Sequence, residues 1–169
     1  MECTEWLNEV KNVFPSLKRK FFYVDYEKMS HKRLACVKAK IEQKINFNPE
    51  SLLLGESNRI KKTRSSPKEF EVLINQDLKR LVNPALRKQI VQYLLIHEML
   101  HIESKDLITL SKNYSRRKKR KIHVNEFEGE VFRRFNKLRE LKGIMQIEKR
   151  EHLDIAINKI LESINWHKK

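Results

Sequence analysis

Asn83-Pro84-Ala85-Leu86-Arg87-Lys88-Gln89-Ile90-Val91-Gln92-Tyr93-Leu94-Leu95-Ile96-His97-Glu98-Met99-Leu100-His101 is the stretch on which the rest of the chain turns. Asn83 is an N-cap residue followed by a first-turn proline, so a helix begins there. Leu86, Ile90, Val91, Leu94, Leu95 and Ile96 make it apolar on nearly every side, which predicts a buried central helix. The helix ends in His97-Glu98-Met99-Leu100-His101, an H-E-x-x-H pattern. Residues four apart share a helix face, so both imidazoles can reach one metal ion. Glu98 can then act on a water at that ion, which predicts a zinc hydrolase acting on peptide bonds with Glu98 as general base. A carboxylate on so apolar a helix is costly unless it has a role or a partner.

Upstream, the patterning is that of strands. Phe21, Phe22, Tyr23 and Val24 suit one. Ala35, Val37, Ala39 and Ile41 alternate with Cys36, Lys38, Lys40 and Glu42, which predicts a strand with one wet face. Phe70, Val72 and Ile74 alternate with Glu71 and Leu73 in a third. Residues 46–58 contain Pro49 and Gly55 and read as a connection. A helical stripe of Trp6, Leu7, Val10, Val13 and Phe14 stops at Pro15, predicting a helix over 2–14. Downstream, Asn125 with Glu128 suggests a capping box for a helix whose stripe is Phe127, Val131, Phe132, Phe135, Leu138 and Leu141, closing at Gly143. A final helix over 153–165 carries Leu153, Ile157, Ile160, Leu161 and Ile164. Strands, a metal helix and further helices predict one α+β domain over 1–169, with the sheet on one side of the central helix.

Composition bounds the rest. Cys3 and Cys36 match no C-x-x-C spacing, so a reducing cytoplasm is expected and a disulfide framework is not. Glu2, Glu5 and Glu9 interrupt any N-terminal apolar leader, and Ile90 to Leu100 is too short to span a bilayer. A net charge of +15 points to a polyanionic partner, most simply nucleic acid. The charge is concentrated in Arg116, Arg117, Lys118, Lys119, Arg120 and Lys121, a run that contains no aromatic to stack on a base.

A catalytic zinc takes three protein ligands and leaves one position open. Ser104 and Leu107 stand where a metzincin would continue, so the third ligand lies further on, at His123 or Glu126. By helical geometry the core-facing stripe points about 80° from His123 and about 140° from Glu126, which favours His123. Tyr114, His152 and several arginines are candidates for stabilising the oxyanion. His31, His152 and His167 read as surface histidines.

His123-Val124-Asn125-Glu126-Phe127 has the form H-x-x-x-F. Paired with H-E-x-x-H and the strand before it, it resembles the SprT-like metallopeptidases and their Wss1-type relatives over roughly residues 68–142. The resemblance implies a zincin-like fold, a zinc site of His97, His101 and His123, Glu98 as general base, and proteolysis, in some members on DNA-bound proteins. The chain departs from the family in three ways: it has no cysteines for a zinc ribbon, 21 residues separate His101 from His123, and the terminal helices fall outside the match. Asn125-Glu126-Phe127-Glu128-Gly129-Glu130 also resembles the E-F-E-A-D block of Ste24- and HtpX-type gluzincins, which would make Glu126 the ligand. A basic nucleic-acid-associated protein with a non-catalytic zinc site is the third reading.

Overall fold

The computed structural model describes residues 2–40, 43–45, 62–64, 67–104 and 125–164. The order is α1 (Glu2–Lys11), β1 (Phe21–Glu27), β2 (Ala35–Lys40), β3 (Gln43–Ile45), β4 (Lys62–Arg64), β5 (Glu69–Asn75), α2 (Pro84–Glu103), α3 (Asn125–Leu141) and α4 (Arg150–Ser163). This is an α+β architecture. Three strands form a mixed sheet in the order β1-β5-β2, with β1 parallel and β2 antiparallel to β5, while β3 and β4 pair as a separate ribbon.

Alternation assigns the faces of the sheet. Phe22, Val24 and Tyr26 of β1, Phe70, Val72 and Ile74 of β5, and Ala35, Val37 and Ala39 of β2 belong to the core cluster. Their register agrees: Val24 pairs with Val72, and Val37 pairs with Val72 from the other side. Against this sheet α2 packs over β2 and β5, and α1 packs over β1. Leu73 differs from expectation. It alternates with the core residues yet is 5% exposed, because β5 is the central strand and Asp25 and Cys36 flank it. The outer face of the edge strand β1 is open, with Phe21 at 63% and Tyr23 at 51% exposure.

The central helix forms as its sequence dictates. The Asn83 side-chain oxygen accepts the Leu86 N–H at 3.1 Å, and Pro84 occupies the first turn. From Ile90 to Ile102 every residue but His97 is buried. Val91, Leu95, Ile96 and Met99 are wholly inaccessible, each contributing about 1.5–3 kcal/mol of burial. Glu9 staples α1 to this helix and to the end of α3: it accepts from Lys88 at 2.9 Å, from Gln92 at 2.5 Å, and from Lys142. Burial pulls the Glu9 pKa upward, but the Lys142 and Lys88 hydrogen bonds outweigh it and hold the carboxyl below its ordinary value.

Some boundaries move. The first helix ends at Lys11 rather than residue 14; Val13 and Phe14 are still buried, and Pro15 opens a short 3-10 turn. Asn125 is itself helical, so it is not the residue that caps α3 from outside. Leu141 is 57% exposed and leaves the buried stripe, because it lies in the last turn before the chain bends away. That bend is a Schellman closure. Gly143, at φ +66°, donates to the Glu140 carbonyl at 2.9 Å, and Ile144 donates to the Arg139 carbonyl at 2.9 Å. The last helix spans Arg150–Ser163, with Leu153 buried in it and Ile164 buried just past its end. The connection over 46–58 lies outside the described residues. Among the described residues no helix is long and apolar enough to cross a membrane.

Candidate metal centre

His97, Glu98 and His101 occupy the last turns of α2, where the helix meets the start of α3. The i, i+4 spacing brings the His97 and His101 Nε2 atoms to 3.3 Å from one another. At that separation one ring can donate Nε2–H to the other. Two nitrogens about 2.0–2.1 Å from one tetrahedral zinc are themselves about 3.3–3.4 Å apart. The 3.3 Å separation of the two nitrogens matches that spacing. Glu98 and His101 are buried, and His97 is half-buried.

Phe127, in the first turn of α3, orients both rings. Its ring stacks on His101, with centroids 4.5 Å apart and planes 26° from parallel, and meets His97 edge-on at 5.2 Å. Eight residues on, the same face of α3 presents Phe135, which meets Tyr93 of α2 edge-on at 5.6 Å. The α2–α3 seam is thus aromatic from the imidazoles back toward the middle of the helix.

Polar contacts hold α3 against α2 on either side of that seam. Arg134 reaches Glu103, two residues past His101, at 2.5 Å, and also pairs with Glu130 at 2.6 Å. Its guanidinium lies 4.3 Å from the centre of the Phe14 ring, and Ser16 also donates to Glu103. Further along, Arg139 donates to the Gln89 side chain at 3.1 Å. Paired hydrogen bonds from Arg133, then from Arg134, hold the Glu130 carboxyl down at about 2.

On its other side α2 adjoins β2. The helix packs against that strand, where burial pushes the Cys36 thiol up and the charge of Glu98 adds to the effect. Asn75, wholly buried at the end of β5, donates to the Ser30 carbonyl at 3.2 Å and the Arg33 carbonyl at 2.9 Å, and accepts the Asp77 N–H at 3.1 Å.

The structure brings His97, Glu98 and His101 together. Glu126 is exposed at the start of α3, and among the described residues no group of three or more His, Cys, Asp or Glu side chains is arranged to hold a metal. His123, Tyr114, His167 and the run 116–121 lie outside the described residues. His31 and His152 are exposed. Sequence reasoning missed the ring contacts of Phe127, the Arg134–Glu103 pair and Asn75. Phe127 and Phe135 share a helix face at a spacing of eight, which was a usable signal for the seam; nothing local marks the other two. Comparison of the chain with family models, with curated proteins and with solved structures found no match.

Proposed function

We propose that this chain is a zinc-dependent metallopeptidase of the SprT-like kind, with a zincin-like domain and with His97 and His101 as two of its zinc ligands. The observation that carries the reading is the 3.3 Å convergence of their Nε2 atoms on a buried helix, one residue from a buried carboxylate. The third ligand in this reading is His123. What supports it is the packing of Phe127 on both imidazoles, which brings the first turn of α3, and so the chain just after His123, to the metal face. Zinc, when bound, supplies Lewis acidity to the peptide carbonyl and to the attacking water. Glu98 takes the proton from that water and delivers it to the departing amine. Burial of Glu98 among apolar side chains suits a group that must hold a proton between the two steps. The six cations of 116–121 support nucleic acid as the partner that brings protein substrates to the enzyme.

Elemental analysis and an unfolded-protein substrate test the reading together. One zinc per chain is expected, lost with activity in His97→Ala. Glu98→Gln should keep the metal and lose activity by about 100-fold or more. A chain that binds zinc no better than His97→Ala would overturn it.

A further inference from the structure

Between β1 and β2 the chain turns through residues 28–34, and this turn walls a polar cavity of about 390 Å³. Lys28, Lys32, Arg33 and Lys38 line it, with Glu27 as the single carboxylate among the described lining residues. Glu27 lies 3.4 Å from Lys38, both half-exposed, so that pair is screened and leaves Lys28, Lys32 and Arg33 in excess. The turn is built rather than loose. Arg33 N–H closes onto the Ser30 carbonyl at 2.9 Å, and Asn75 N–H donates to the Leu34 carbonyl at 2.8 Å. The buried Asn75 side chain holds the Ser30 and Arg33 carbonyls from below. The ordering cost of this wall is therefore met in folding, which favours binding.

Cys36 also lines the cavity, on β2, the strand that packs against α2. Among the described lining residues there is no aromatic on which a nucleotide base could stack. A carboxylate on a flexible stem meets its chemistry better: compact, anionic and able to take several charged donors. We infer that this cavity receives an Asp or Glu side chain of the polypeptide substrate, which makes the enzyme favour acidic polypeptides. The inference rests on the peptidase reading for its consequence in catalysis, and not for binding itself.

The test uses the full chain loaded with zinc and carrying Glu98→Gln, so that peptides are bound and not cut. Two fluorescein-labelled unstructured peptides, one bearing Asp and Glu and one with Asn and Gln in their places, are titrated by anisotropy. The acidic peptide should bind about fivefold tighter or more, with an advantage that fades as salt rises. Lys32→Gln with Arg33→Gln should erase the advantage and leave the neutral peptide's affinity unchanged. Both side chains are exposed, and Asn75 holds the Arg33 carbonyl rather than its guanidinium, so the turn stays folded. Equal affinity for the two peptides overturns the inference, as does a double variant that loses an oligonucleotide and keeps the acidic peptide. With Glu98 restored, the double variant should lower kcat/KM for the acidic peptide only. If no peptide is cut and His97→Ala changes nothing, the peptidase reading fails, and the anisotropy titrations still judge the cavity.

Discussion

The ring of Phe127 lies over the ring of His101, 4.5 Å from centroid to centroid. An apolar ring there fixes the imidazole plane, and with it the direction of Nε2. Phe127→Leu should keep the helices, since volume is largely conserved, and weaken zinc binding about tenfold, the loss expected when a group supporting a ligand is removed. Competition against a chromophoric chelator measures it. Unchanged affinity would reduce Phe127 to ordinary packing.

His123 and Glu126 make opposite forecasts for the third ligand. His123→Ala should abolish tight zinc binding, whereas Glu126→Ala, at an exposed position, should leave it within a few-fold. The reverse ranking, read from the same titrations, would move the chain to the gluzincin pattern.

Glu130 carries a pH dependence with a definite sign. Its carboxyl titrates near 2 in the folded chain, against an ordinary value of 4.5, because Arg133 and then Arg134 donate to it. The stabilisation is fully present above pH 4.5 and is lost as pH falls through about 2. Arg133 is well exposed, so solvent screening reduces the contribution to about 1–2 kcal/mol. Urea melts of wild type and Glu130→Gln should differ by that amount at pH 7 and converge toward pH 2.

Asn75→Ala should cost about 2–4 kcal/mol, because it leaves the Ser30 and Arg33 carbonyls and the Asp77 N–H without their side-chain partner. Proteolysis should then cut first within residues 28–34. A variant as resistant as wild type would show that the turn stands without Asn75.

Gly143 at φ +66° closes α3, and a Cβ there would meet nothing within 4 Å. Gly143→Ala should therefore cost only the backbone term, about 1 kcal/mol. A much larger loss in a denaturant melt would mean that the closure bears on the Lys142–Glu9 contact as well.

What lay open in the sequence was local. The Asn83-Pro84 start of α2, its burial, the shared face of His97 and His101, the Gly143 stop and the core faces of β2 and β5 all follow from periods of 3.6 and 2 and from cap chemistry within a few residues. Even the failures at Leu141 and Asn125 are shifts of one or two positions at helix ends, where local signals are weakest. The tertiary structure alone decided which strand is central, and so why Leu73 is buried. It also decided that β1 runs parallel to β5, that Asn75 carries the 28–34 turn, and that Phe127 and Arg134 bring α3 to the imidazoles. Those contacts join residues tens of positions apart. Their partners are chosen by packing and charge after the chain has collapsed, and packing between distant segments leaves no periodic mark on either one.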